Sequence, residues 1–87
     1  MQFTGTLVGP DRLPRGRVSG QYTVAARKGL PSWSGWMRTT SAGPIPVGRR
    51  CTLTLDDGRT AALKIRWCQP LPGDIIAVFD GIGPGPS

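Results

Sequence analysis

Aromatic and cationic side chains are the residues of this 87-residue sequence whose types and spacing could hold a ligand. Two of its three tryptophans, Trp33 and Trp36, stand close together in the stretch GLPSWSGWMR, which ends at Arg38. Indole rings beside cations can stack nucleic-acid bases while the cations contact phosphates. The same combination is typical of hot spots in protein–protein interfaces. The stretch therefore predicts a binding surface and leaves its ligand open.

The backbone between the two tryptophans decides where their rings lie. In a straight strand, Trp33 and Trp36 point to opposite faces, so that one is core and the other exposed. A turn or bulge at Ser34 and Gly35 would instead bring both rings to one side as a platform. The cations expected beside such a platform are Arg27, Lys28 and Arg38. Both arrangements stay open, because a small all-β domain also needs tryptophan to fill its core.

The charge balance is strongly basic. Nine arginines and two lysines stand against five aspartates, which gives a formal net charge of +6. Such a charge favours a polyanionic partner, nucleic acid above all. The absence of glutamate, asparagine and histidine, with arginine far more frequent than lysine, is also what a GC-rich coding bias produces. We expect the partner to be nucleic acid, either DNA or RNA, or an acidic protein surface.

Catalytic residues, metal ligands and cofactors are not expected. The sequence has no histidine and no glutamate, the usual acid–base residues. Cys51 and Cys68 alone cannot form a zinc site of the usual four-ligand kind, and two reduced thiols fit a cytoplasmic protein. No run of about 18 apolar residues predicts a membrane span, so no membrane partner is expected.

Turn signals divide the chain into short segments of alternating hydrophobicity. Thirteen glycines and nine prolines are spread along it. This pattern predicts an all-β fold, a small antiparallel barrel or roll of five or six strands, similar in kind to OB-like or SH3-like folds. We expect one domain over residues 1–80 and a flexible Gly/Pro tail over 81–87. The predicted strands are 2–8, 17–27, 33–40, 49–56, 59–68 and 74–80.

The fourth and fifth predicted strands form a hairpin whose register can be tested. A three-residue loop ending at Gly58, in a G1 bulge, pairs Leu53 with Ala61 and Cys51 with Leu63. This register gathers the apolar side chains on one face, as a half-buried sheet requires. The apolar face then comprises Leu53, Ala61, Cys51, Leu63, Ile65 and Trp67, with Val47 opposite Trp67 and Cys68 on the polar face. Residues 47–63 look like strands of many small barrels, PilZ-type domains among them, but carry no diagnostic motif, and no family is assigned.

The polar face of this hairpin is basic. Arg50 lies opposite Lys64 with Arg66 diagonal to it, and like charges across a strand pair are destabilising. Such a basic face is tolerated in water and is more useful if an anion binds to it. The leading hypothesis is a small non-enzymatic module that binds nucleic acid by electrostatics and stacking, with steep salt dependence and little sequence preference. Its predicted site comprises Trp33, Trp36, Arg38, Arg27, Lys28, Arg50, Lys64 and Arg66.

Two other functions remain open. One is a bacterial or phage accessory protein, an adaptor or inhibitor that binds another protein through the segment of Trp33 and Trp36. The other is a structural subunit of an assembly, joined through strand edges, which could also form a homodimer. Salt dependence would separate the first from nucleic-acid binding, and concentration-dependent self-association would mark the second.

Overall fold

Six β-strands follow the alternating segments of the sequence. The computed structural model describes residues 1–39 and 45–86. The strands are β1 (Gln2–Val8), β2 (Pro14–Arg27), β3 (Leu30–Thr39), β4 (Arg50–Leu55), β5 (Thr60–Leu71) and β6 (Asp74–Ile82). They form one closed antiparallel barrel in the order β1-β2-β3-β6-β5-β4, with β4 pairing back onto β1. The all-β barrel prediction is confirmed. Thr40, the predicted end of the third strand, and residues 41–44 and 87 lie outside the described residues.

The turn between β2 and β3 is tighter than the sequence indicated. Arg27 pairs with Leu30, so that only Lys28 and Gly29 connect the strands. Both have positive φ, 52° and 77°, as a two-residue type I′ hairpin turn requires. β3 therefore begins at Leu30 rather than at the predicted residue 33.

The hairpin of β2 and β3 extends beyond the barrel. The backbone of Tyr22 still bonds that of Met1, but beyond this point β2 pairs with β3 alone. β3 first pairs with β6 at Ser34. Residues 23–32, the β2–β3 arm, therefore project from the barrel, and the molecule measures 39 Å along its longest axis against 24 and 23 Å.

The predicted register of the β4–β5 hairpin is confirmed. Cys51 lies opposite Leu63 and Leu53 opposite Ala61. Gly58 closes the loop with a φ of 93°, and its amide donates to the carbonyl of Leu55 over 3.0 Å. The predicted continuation of this pairing to Val47 is wrong. The ladder begins at Arg50, and the amide of Gly48 instead donates to the carbonyl of Ile65 over 2.8 Å.

The barrel interior is filled by the inward side chains of all six strands. Among the most deeply buried are Leu7, Met37, Leu53, Leu63, Ile65 and Phe79. Cys51 is buried with them, as predicted. No helix in the described part of the chain is long and apolar enough to cross a membrane. The last strand continues to Ile82, past the predicted end at residue 80.

Candidate functional site

A β-bulge in β5 decides which of its side chains reach the surface. Ile65 lies opposite Phe79 and Trp67 opposite Val78, so that Arg66 is an extra residue between the two pairs. An extra residue reverses the alternation of faces for the rest of a strand. Trp67 is therefore on the outside and 48% exposed. Its predicted core position is wrong because the register argument assumed an uninterrupted strand.

The same bulge turns Cys68 inward. Cys68 was predicted on the polar face, but it is half-buried and packs against the core. Both cysteines are free. Burial raises the pKa of the Cys51 thiol, so this thiol stays protonated and acts as a core side chain.

β3 runs as a regular strand through both of its tryptophans. Trp33 is 3% exposed and Trp36 is 40% exposed, so the two rings lie on opposite faces. The straight-strand alternative is confirmed, and the platform of both rings is not formed. Trp33 packs edge-on against Tyr22 and Phe79, with ring centroids 5.8 and 5.3 Å away. It is a core residue and offers no free ring face to a ligand.

The two exposed tryptophans share one line across the outside of the barrel. Trp36 of β3 lies opposite Val78 of β6, and Val78 lies opposite Trp67 of β5. We call Trp36, Val78 and Trp67 the aromatic row. Neighbouring strands are about 5 Å apart, so the two tryptophan backbones are about 10 Å apart. Two of the three tryptophans thus lie on one exposed surface, but they are a different pair from the one that the sequence suggested.

Two ion pairs border the aromatic row. Arg38 contacts Asp74 with its Nε 3.1 Å from a carboxylate oxygen. Arg66 contacts Asp80 in the same way over 3.4 Å. All four side chains are at least partly exposed. The arginines next to the row are therefore about half exposed while part of their charge is balanced.

Every aspartate of the chain is paired with an arginine. The five pairs are Asp11–Arg15, Asp56–Arg17, Asp74–Arg38, Asp57–Arg59 and Asp80–Arg66. Within residues 1–39 and 45–86, the cationic side chains without a carboxylate partner are Arg12, Arg27, Lys28, Arg49, Arg50 and Lys64. The net charge of +6 is carried by these residues.

Three of these unpaired cations lie together near the row. Arg50 is directly opposite Lys64, as predicted, and Arg49 precedes it in the chain. Lys64 lies on β5 just before the bulge residue Arg66, and all of these side chains are exposed. Such like-charge neighbours repel one another across the strand pair. A bound anion would relieve this repulsion.

Arg27 and Lys28 are separated from the aromatic row. They lie at the tip of the β2–β3 arm, whereas the β2 residue opposite Trp36 is Gln21. Arg27 follows Gln21 by six positions along the extended strand, a distance of about 20 Å. Of the predicted site residues, Trp36 and Arg38 lie on β3 and Lys64 and Arg66 on β5, the two strands that flank β6. Arg50 lies on β4 beside Lys64, three strands from β3 around the barrel, and Trp33, Arg27 and Lys28 lie elsewhere.

Arg17 and Asp56 form a bidentate ion pair on the surface. Two guanidinium nitrogens of Arg17 donate to the two carboxylate oxygens of Asp56, each over 2.6 Å. The Thr4 hydroxyl donates to Asp56 over 2.7 Å. The bonds from Arg17, then that from Thr4, lower the pKa of Asp56 from 3.8 to about 2. This pair joins the β4–β5 turn to β1 and β2.

A shallow groove adjoins Trp36 on the outside of β1, β2 and β3. Its volume is about 460 Å³. Its lining comprises Gln2, Phe3, Thr4, Ser19, Gly20, Gln21, Trp36 and Arg38. A second depression of about 330 Å³ shares Thr4, Ser19 and Arg38 and continues to Arg17. The indole of Trp36 is therefore one wall of a polar groove.

Trp67 and Gln21 are surface residues of this region that the sequence analysis missed. Nothing in the sequence marks the bulge that turns Trp67 outward. An indirect signal was that residues 74–80 are apolar on both faces of their strand. One apolar side chain, Val78, therefore lies on the outside between the two rings. The outward position of Gln21 could have been found, because it precedes the inward Tyr22 in an alternating strand.

Fold and surface together define a small closed barrel with an exposed aromatic row on its outer face. In the described ranges, no three Cys or Asp side chains are grouped as a metal ion would require. Comparison with protein-family models, with curated proteins and with solved structures finds no match for this chain. Its function is therefore argued from the side chains of the barrel itself.

Proposed function

We propose that this protein binds single-stranded nucleic acid on the outer face of β3, β6 and β5. The observation that carries the proposal is the aromatic row, in which Trp36 of β3 and Trp67 of β5 are both exposed with only Val78 of β6 between them. Stacking on aromatic side chains is how barrel proteins hold unpaired bases with little regard to sequence. A duplex hides the faces of its bases and would not use these rings.

Phosphate contacts would come from the cations beside the row. Arg50 and Lys64 have no carboxylate partner in the described residues and face one another across β4 and β5. Arg66 lies between Lys64 and Trp67 and can offer the donors that Asp80 leaves free. Three phosphate contacts on a single strand correspond to a salt slope of about −2 in a plot of log affinity against log salt.

The proposed module is non-enzymatic, basic and cytoplasmic, as the sequence predicts. Its ligand can be DNA or RNA. The stacking groups are Trp36 and Trp67, and the predicted contribution of Trp33 is dropped because its ring is buried. Arg38 remains at the edge of the surface beside Trp36.

Fluorescence anisotropy of labelled oligonucleotides tests the proposal. Twelve-nucleotide single-stranded DNA and RNA and the matching duplexes are titrated from about 50 to 200 mM salt, the range in which phosphate contacts lose affinity steeply. We expect binding to single strands, with a negative salt slope and quenching of tryptophan emission. Trp36→Ala and Trp67→Ala should each weaken binding about 10-fold, the effect of one stacked base.

Matched control variants distinguish binding at the aromatic row from a general attraction to the positive charge of the protein. Lys64→Ala and Arg50→Ala should reduce the salt slope, whereas Arg27→Ala removes the same charge about 20 Å from the row and should have a smaller effect. Circular dichroism melting confirms that each variant is folded. Absence of binding to every single strand at the lowest salt would refute the proposal. Unchanged affinity in both tryptophan variants would refute the stacking surface.

Binding of another protein by the same surface is a second candidate. It is favoured by the ion pairs of Arg38 and Arg66, which balance part of the charge next to the apolar row. Exposed tryptophan beside arginine is typical of hot spots, as expected for a phage or mobile-element adaptor or inhibitor with an acidic partner. Such binding would depend on Trp36 and Trp67 and respond weakly to salt.

Assembly through strand edges is less well supported. Each of the six strands has two neighbours in the closed barrel, so no strand is an edge strand along its whole length. Short unpaired stretches remain where a strand outruns its neighbour, as in the β2–β3 arm and in β5 beyond Ile65. A homodimer joined through strand edges would use such a stretch, and sedimentation at increasing protein concentration would detect it.

A further inference from the structure

The aromatic row continues into two glutamines on the neighbouring strands. Gln21 of β2 lies directly opposite Trp36, and Gln2 of β1 lies directly opposite Gln21. Both glutamines are exposed on the outer face. With about 5 Å between neighbouring strands, Gln21 is the nearest cross-strand side chain to the indole on this side.

The groove beside Trp36 has the dimensions and lining of a small binding site. Its volume of about 460 Å³ lies within the usual range for ligand pockets. One wall is the aromatic ring of Trp36, and the other lining side chains are mainly polar. This arrangement can take a flat ring on the indole and leave the edge of that ring facing the amides.

Several polar groups of the groove are available to a ligand. The side chains of Gln2, Gln21 and Ser19 make no hydrogen bond within the described part of the chain. Thr4, by contrast, already donates to Asp56. Arg38 contacts Asp74 through Nε and keeps other donors. The groove therefore presents unused donors and acceptors next to a stacking surface.

We propose that this groove takes one adenine base of the bound strand, stacked on Trp36 and recognised at its edge by Gln21. This inference rests on the proposed binding of single-stranded nucleic acid. It adds a preference for adenine at one position of a strand that is otherwise bound with little sequence preference. A glutamine amide offers one acceptor and one donor side by side, which match the N6 amino group and N7 of adenine. Guanine presents two acceptors at the same edge and leaves the amide oxygen unpaired.

A single base substitution in an otherwise uniform strand tests the assignment. Labelled twelve-nucleotide oligothymidine is compared by anisotropy with strands carrying one central adenine or one central guanine. The adenine strand should bind about 10-fold more tightly than oligothymidine, as one bidentate amide contact implies, and the guanine strand should gain less. Gln21→Ala should remove the gain, so that this variant binds the adenine strand no more tightly than oligothymidine.

Gln69 provides the matched control. It is an exposed glutamine of β5 that lies opposite Ile76 and outside the groove, so Gln69→Ala should retain the preference for adenine. Equal binding of all three strands would overturn the adenine site and leave the proposed function standing. If Gln69→Ala also lost the preference for adenine, the assignment of adenine recognition to Gln21 would be overturned. Absence of binding to every strand would overturn the proposed function and the adenine site with it.

Discussion

Truncation of Trp33 and of Trp67 should affect stability in an order that the structure determines. Trp33 is 3% exposed, whereas Trp67 is 48% exposed beyond the bulge. An uninterrupted β5 would place Trp67 in the core as well, and truncation of Trp67 would then cost about as much as truncation of Trp33. Comparing Trp33→Ala with Trp67→Ala therefore tests the bulge at Arg66 by thermodynamics alone.

The expected magnitudes follow from burial. Trp33→Ala empties a site between Tyr22 and Phe79 and should lower the free energy of unfolding by about 3–5 kcal/mol. Trp67→Ala loses roughly half as much contact area and leaves no cavity, so about 1–2 kcal/mol is expected. The whole domain should have about 4–13 kcal/mol of stability. Trp33→Ala thus removes a large share of it.

Urea unfolding followed by far-ultraviolet circular dichroism measures both variants without relying on tryptophan emission. If Trp33→Ala fails to fold, Trp33→Phe keeps a ring at the site and removes an indole N–H that is buried without a partner. Its expected cost is smaller, about 1–2 kcal/mol, because that donor was already desolvated. A cost for Trp67→Ala equal to or above that of the Trp33 variants would refute the bulge.

Two further predictions concern the β4–β5 turn. The pKa of Asp56 is about 2 in the folded protein against an ordinary value of 3.8, so its ionised form stabilises the fold above about pH 4. That stability should be lost as the pH falls from about 4 to about 2, and urea midpoints of Asp56→Asn should fall less over this interval than those of the parent protein. A parallel fall would contradict the role of the Arg17 pair. Gly58→Ala should cost about 1–2 kcal/mol from backbone strain alone, because a Cβ there meets no atom within 4 Å. Gly58→Asn should cost less in the same unfolding assay, and equal costs would argue against the positive φ at this position.

The fold could be predicted largely because local signals agreed with the tertiary structure. Alternation in β4 and β5 allowed a single register with one apolar face, and the loop ending at Gly58 fixed it. The turn at Lys28 and Gly29 was located less accurately, since lysine with positive φ is uncommon. Periodicity identifies faces reliably only while a strand remains regular.

The candidate surface could be predicted only in part for the same reason. Trp36 and the cations Arg50 and Lys64 follow from strict alternation. Trp67 does not, because a bulge depends on how β5 fits against β6 around the closed barrel and leaves no local mark. Gln21 was visible as an outward residue, but its importance depends on being opposite Trp36, a long-range pairing that no short window contains.

The bulge at Arg66 also absorbs one extra residue in β5 without moving the side chains that follow. Trp67 lies opposite Val78, where the residue after Ile65 would lie in a regular strand, so a chain without Arg66 would still have Trp67 outside and Cys68 facing the core. In mutational terms, β5 can lose or gain one codon at position 66 while the aromatic row and its register against β6 are kept.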